Sequence, residues 1–168
     1  YIIHYVIHGK GIFIINNKQY EIDKGQTFLI TPFTTIFYYP EQSDPWEYIW
    51  VEFTGETAGS ILREAGMTAR NPVFPEASEK EMLPYFERAD RCARDWNHRG
   101  EAAGLIRTIT GQIGDLISKT QAVMSEQEET LAKAVACMES NYHYESFSVS
   151  ALCEMLGISR ATLYRLFT

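Results

Sequence analysis

Residues 147–168 read FSVSALCEMLGISRATLYRLFT, and their spacing decides how the C-terminal part of the chain is read. Leu152 and Leu156 are i,i+4 neighbours on one helix face. Gly157 follows the last periodic residue, where a helix end favours a left-handed conformation. Ser159 then stands at an N-cap position for a second helix, on which Leu163, Leu166 and Phe167 form an apolar stripe. The opposite face carries Arg160, Ala161, Tyr164 and Arg165. Two short helices crossing at a tight turn, with both arginines outward, is the layout of a helix-turn-helix whose second helix enters a DNA major groove. The other reading of the same spacing is an ordinary helical hairpin.

The charge balance argues against strong DNA binding by this segment alone. The chain of 168 residues has a formal net charge of −7, and residues 126–168 hold 3 Lys/Arg against 6 Asp/Glu. Within 155–168 the only charges are Arg160 and Arg165. Contacts to phosphate supply most sequence-independent affinity, so this piece should bind weakly by itself. At 45% hydrophobic and 13% aromatic residues, the composition supports a packed core. No apolar run is long enough to span a bilayer, and nothing at the start resembles a secretory signal. Cys92, Cys137 and Cys153 are odd in number and lack CxxC spacing. They fit free thiols in a reducing cytoplasm and argue against a zinc site, so no metal is expected.

Working back along the chain, residues 1–54 read as strands. IIHYVIH (2–8), GIFII (11–15), KQYEI (18–22), QTFLI (26–30), IFYYP (36–40) and WEYIWVEF (46–53) are separated by turn signals at Gly9-Lys10-Gly11, Asn16-Asn17, Asp23-Lys24-Gly25 and Thr31-Pro32. About six short strands at this spacing predict a β-sandwich or barrel. In the last, Trp46, Tyr48, Trp50 and Glu52 alternate with Glu47, Ile49, Val51 and Phe53. After Gly55 the pattern turns helical. A short helix is expected over 56–66, and a loop with two prolines over 67–78. A helix over 84–97 begins either at a Ser78/Glu81 capping box or with Pro84 in its first turn. A long helix over 101–123 follows. Ser125 and Glu128 offer a second capping box, opening a helix to about Tyr142 with Leu131, Val135, Met138 and Tyr142 on one face. Domain boundaries follow: 1–124 as barrel with connector helices, 125–168 as the DNA-binding part.

Three groups of residues carry chemistry. Tyr39, Tyr48 and Trp50 have the apolar faces and polar tips that suit a small polar ligand, and they equally suit a barrel core or rim. Leu105, Ile109, Ile113 and Leu116 belong to a wide stripe on the long helix, which packs on the barrel alone or also on a second copy. His4 and His8, four residues apart on a strand, lie roughly 13 Å from one another and cannot share a metal. No catalytic set, phosphate loop or dinucleotide fingerprint is present, so neither an enzyme nor a cofactor is expected.

The chain resembles the AraC/XylS-type transcriptional regulators. YVIHGKGIF (5–13), KGQTFLITP (24–32) and YYPEQSDPWEYIWVEFTG (38–55) are similar to the cupin-like sensor of the sugar-responsive members. FSVSALCEMLGISRATLYRLF is similar to the opening of the family's DNA-binding domain. The resemblance implies an α+β protein: a jelly-roll type cupin barrel, helical connectors and a partial helix-turn-helix. It implies a cytoplasmic regulator that dimerises, with DNA and a small-molecule effector (a sugar fits best) as partners, and no membrane. Carried over residue by residue, Arg160, Ala161, Tyr164 and Arg165 face DNA, with Arg165 suited to guanine. Ser159 and Thr162 contact phosphate or cap the helix. Tyr39, Tyr48 and Trp50 take the effector positions. Phe33-Thr34 stand where the family has a glycine after the strand-ending proline. An effector-closing arm, a further ligand-binding arginine and a second helix-turn-helix belong to the family pattern, so a natural protein longer at both ends is expected. Two rivals remain: a metal-dependent cupin enzyme with a helical tail, which would need clustered His and Glu ligands, and a dimerisation module with a filled barrel.

Overall fold

The computed structural model describes residues 1–141 and 147–167, apart from the side chains of Trp96, Ser125 and Ser140. It divides into two compact units, Tyr1–Ser118 and Lys119–Thr168. Tyr142 and His143 lie outside the described residues.

In the first unit the six expected strands form: β1 (Ile2–His8), β2 (Gly11–Ile15), β3 (Lys18–Ile22), β4 (Thr27–Ile30), β5 (Ile36–Pro40) and β6 (Glu47–Glu52). A two-residue strand, β7 (Val73–Phe74), lies in the stretch expected to be only a loop; it pairs with β4 through Thr27–Phe74 and Phe28–Val73. The strands make two antiparallel sheets, ordered β6-β1-β4-β7 and β3-β2-β5. The barrel expected from the strand count is therefore not closed. Alternation reports which face of a strand is buried; closure depends on pairing between edges, and the two sheets here remain separate.

Turn chemistry fixes the registers. Asn16 and Asn17 both take positive φ, 50° and 62°, and join β2 to β3 as the primed turn requires. Gly11 lets the Trp46 ring lie against the backbone, since a Cβ there would come within 2.3 Å of the indole. Phe33 adopts φ 59° and is fully exposed. A bulky residue in the left-handed region is strained.

Strand β1 divides the unit into two cores. Val6 points into a layer with Phe28 and Ile30 of its own sheet, Phe13, Ile15 and Ile22 of the other, and Trp46. Ile3 and Tyr5 point the other way, towards helices α1 (Ala58–Glu64), α2 (Glu79–Ala93) and the first half of α3 (Arg99–Asn141). The Tyr5 hydroxyl donates to the Ala77 carbonyl at 3.1 Å, and its ring stacks on Phe86 at 5.8 Å. Ile106, Ile109 and Ile113 of α3 are buried in this second core, with Leu105, Leu116 and Ile117 packed at its edge.

Two helix expectations change. Ser78 precedes α2 without a side-chain cap, and Pro84 sits inside the helix, not in its first turn. With no N–H, Pro84 cannot make the usual i→i−4 bond to the carbonyl of Lys80, an exposed residue to which water has access. The capping box at Ser125 and Glu128 does not start a helix, because α3 runs on through both positions to Asn141. A cap forms only where the backbone leaves the helix, and Glu, Gln, Leu and Ala at 126–134 are good helix formers.

In the second unit, α4 (Val149–Leu156) and α5 (Arg160–Leu166) follow a tight turn. Leu152, Cys153, Leu163 and Ala134 form a small core, with Cys137, Met138, Phe147, Leu156 and Ile158 against it. The contacting face of α3 is thus Ala134, Cys137 and Met138, and Val135 is exposed.

Candidate functional site

The alternation of β1 and β6 places a series of rings on the face of the larger sheet that meets the smaller one. His4 pairs with Trp50 across the strands, and Val6 with Tyr48. The His4 imidazole stacks on Phe28 at 4.4 Å, with planes 3° apart, and meets Tyr48 edge-on at 5.0 Å. Tyr48 is T-shaped to Trp46 at 5.7 Å and to Trp50 at 6.2 Å. Exposure rises along the strand from Trp46 at 8% to Trp50 at 54%. The stack therefore begins in the core and ends with an aromatic face open to solvent.

Two polar groups are held inside this stack. His4 is buried, and its Nδ1 has no hydrogen-bond partner among the described residues. Burial pushes its pKa down to about 4, so the ring is neutral at physiological pH. Burial also raises the Tyr48 pKa, and a hydrogen bond with the Tyr38 hydroxyl adds to the shift.

Beside the same strand lies a cleft of about 850 Å³. Its walls come from β6, α1, α2 and the start of α3, and both Tyr48 and Trp50 line it. Ala89 and Ala93 of α2 and Ala102 and Ala103 of α3 also line it; their short side chains leave the volume open. Polar groups at the wall include Thr54, Thr57 and the Asp90–Arg94 ion pair, whose Oδ2 and Nη2 are 2.9 Å apart. Apolar walls with a few polar groups are the usual make-up of a small-molecule site.

The structure brings Tyr48 and Trp50 together and leaves Tyr39 elsewhere. Tyr39 lies on β5 beside Phe37, 5.5 Å away, and both are exposed; its neighbour Tyr38 turns inward to the stack. Spacing alone considers His4 only as a metal ligand, whereas the structure buries it in the ring stack. Its position between Ile3 and Tyr5 was the available signal, since alternation sends it to the opposite face. His8 does not share that face: a register shift between Val6 and His8 leaves it exposed near Asp44. Of the four stripe residues, Ile109 and Ile113 are fully buried in their own unit, and Leu105 and Leu116 are partly buried against the same core.

The α4–α5 pair has local geometry that follows from its caps. Ser148 accepts from Ala151 N at 3.2 Å and Ser159 from Thr162 N at 3.0 Å, while Gly157 closes α4 at φ 65°. Arg160, Ala161, Tyr164 and Arg165 are all exposed, and Leu163 is buried beneath them. The Arg160 guanidinium reaches the Ser150 hydroxyl at 2.7 Å, and that of Arg165 reaches Thr162 Oγ1 at 3.4 Å.

Residues 1–139 match the family model described as the AraC-like ligand binding domain. The chain belongs to this family. The match covers the two sheets, the helices packed on them and nearly all of α3, and it stops short of α4 and α5. Among relatives of the AraC-like chain, the Msm operon regulatory protein of Streptococcus mutans is 25% identical over 171 residues, covering 99% of this chain and 61% of that protein. The raffinose operon transcriptional regulatory protein RafR of Pediococcus pentosaceus is 24% identical over 172 residues, covering 99% and 62%. The chain thus spans about three fifths of the length of both relatives. A crystal structure of the AraC-like transcriptional activator CuxR aligns with a TM-score of 0.43 at 13% identity, covering 99% of this chain and 59% of that one. Likeness at that level is too low to decide the fold.

The neutral, buried His4 makes stability depend on pH. Its folded-state pKa of about 4 lies below the ordinary 6.5, so between these values the unfolded chain binds the extra proton. Stability is full above pH 6.5 and falls as the pH drops towards 4, by at most about 1.4 kcal/mol per unit from this group. Urea unfolding at several pH values should show that slope reduced in His4→Phe. An unchanged slope would mean that His4 is not held neutral.

Proposed function

We propose that this chain is the effector-sensing part of a transcriptional regulator, together with the opening of its DNA-binding part, and that the effector is a sugar. One observation carries the sensor reading. Trp50, half-exposed, and Tyr48, edge-on to it, are both among the residues that line an 850 Å³ cleft along the edge strand. Sugar rings stack their C–H faces on such aromatics, and neighbouring O–H and N–H groups orient the hydroxyls. Tyr48, Thr54 and Thr57 are among the polar residues that line the cleft. Tyr39 belongs to this proposal only as an outlying contact, since it is on the other sheet. Family membership and two relatives described as operon regulators, one of them for a raffinose operon, support the reading.

In this proposal α4 and α5 are the family's first helix-turn-helix, within a DNA-binding region of 125–168. Arg160, Ala161, Tyr164 and Arg165 face the groove, with Ser159 and Thr162 at the start of the reading helix. The regulator is cytoplasmic and homodimeric, and catalysis has no part in it. Leu105 and Leu116 are the stripe residues that retain surface for a second copy, because Ile109 and Ile113 are enclosed. No helix among the described residues is long and apolar enough to cross a membrane. The effector alters DNA binding only by favouring one arrangement of sensor and DNA-binding helices over another.

The sensor reading is tested by a thermal-shift panel of mono- and oligosaccharides, raffinose included. A sugar that binds only the folded chain must raise its melting temperature, by an amount that grows with concentration. At least one sugar should do so, and Trp50→Ala should abolish the shift while leaving the unliganded melting curve nearly unchanged. A panel without any shift, or an unaltered shift in Trp50→Ala, contradicts the proposal. The DNA reading is tested in a protein of the relatives' full length. Arg165→Ala should weaken operator binding by about 1–3 kcal/mol and relax preference at one base position. Equal affinity for operator and variants in both proteins would remove Arg165 from the interface.

A further inference from the structure

The corner where α2 ends and α3 begins collects three different metal-ligating groups. Cys92 lies in the last turn of α2, His98 in the single 3₁₀ turn at Trp96–His98, and Glu101 in the first turn of α3. The Cys92 sulfur, one His98 ring nitrogen and a Glu101 carboxylate oxygen all lie within 4.8 Å of one another. Cys92 is buried, while His98 is open to solvent. We propose that this corner binds one zinc ion, with Cys92 Sγ, His98 Nδ1 and Glu101 Oε2 as its protein ligands and water in the fourth position.

The spacing of the donors suits the ion. His98 Nδ1 and Glu101 Oε2 are 3.1 Å apart. Tetrahedral zinc with bonds of about 2.0–2.1 Å to nitrogen and oxygen needs those atoms about 3.3 Å apart. The two atoms already stand within hydrogen-bond distance, a gap that the metal would span with little movement. The sulfur bond is longer, at about 2.3 Å, which sets sulfur about 3.6 Å from the other donors. Closing from 4.8 Å or less asks only for a side-chain adjustment at the exposed His98 and partly exposed Glu101.

The surrounding groups orient two of the ligands. Asp95 Oδ2 lies 3.6 Å from His98 Nε2, on the side of the ring away from Glu101. With the metal on Nδ1 the ring proton sits on Nε2, towards that carboxylate, as a ligating histidine's second nitrogen commonly does. Arg88 Nε donates to Glu101 Oε1 and leaves Oε2 to the site. The thiolate and the carboxylate together neutralise the ion's double charge. Binding therefore releases the thiol proton to solvent and requires a neutral His98. Zinc accepts this mixed S, N and O set, whereas magnesium and calcium prefer oxygen alone.

Sequence spacing hides the site because its ligands stand at 92, 98 and 101 across a helix break, with no paired-cysteine motif. Its place gives it a consequence. Asp90, Ala93 and Arg94 on one side of the break, and Arg99, Ala102 and Ala103 on the other, line the cleft described above. An ion at the corner would pin that wall.

The test is titration of zinc chloride into the reduced, chelator-treated chain, competed against a chromophoric chelator. Saturation at one zinc per chain is expected, with a proton released on binding. Cys92→Ala and the exposed-site variant His98→Gln should each lower affinity by more than about tenfold. Cobalt(II) in place of zinc should give a sulfur-to-metal charge-transfer band that Cys92→Ala lacks. Absence of saturable zinc binding, or wild-type affinity in either variant, overturns the site; the latter would put the metal on other residues.

Discussion

The two-sided burial of strand β1 is the constraint on which the sensor unit depends. It pairs with β4 on one edge and β6 on the other, and neither of its faces meets water in the middle of the strand. Ile3 and Tyr5 must find helices, and His4 and Val6 must find the second sheet. Each pair of buried apolar side chains contributes a few kcal/mol relative to exposure, so a slip of one residue would lose both cores together. Pairing with β1 also fixes β6. Once His4 faces Trp50 and Val6 faces Tyr48, the aromatic face of β6 can turn only one way.

That arrangement leaves a cleft along an edge. β6 ends its sheet, so one side of the strand is not paired to another. Helices α1 and α2 and the start of α3 form the other walls of the cleft beside it, and Ala89, Ala93, Ala102 and Ala103 are among the lining residues. Larger residues at Ala89, Ala93, Ala102 and Ala103 would fill the cleft and remove the volume next to Trp50. Trp46 and Tyr48 pack into the core behind it and hold the exposed indole in place. An aromatic surface that is fixed before a ligand arrives costs less entropy to use.

Much of this was legible in the sequence, because alternation and turn residues are local signals. The six strands, the Asn16-Asn17 turn, the Gly157 and Ser159 caps and the pairing of Tyr48 with Trp50 all follow from neighbours close in the chain. What was hidden depends on distant partners. Barrel closure rests on edge pairing, which no strand encodes by itself. β7 is two residues long and exists because β4 offers it an edge. The Ser125–Glu128 cap pattern was present, but continuing α3 satisfies the same backbone groups. Tyr39 and Tyr38 are adjacent, so the one-residue choice between inside and outside rested on a register visible only in the sheet. His4 carries a polar label but obeys the apolar alternation, and its role appears only when Phe28, Tyr38, Tyr48 and Trp50 surround it.

Hydrogen–deuterium exchange on the chain with and without a saturating sugar addresses the central claim most directly, because it reports position as well as binding. The account predicts slowed exchange concentrated in β6, residues 47–52, and in the α2–α3 corner that faces it. Protection confined to β3 and β5, or saturable sugar binding that leaves β6 exchanging at its free rate, would contradict it.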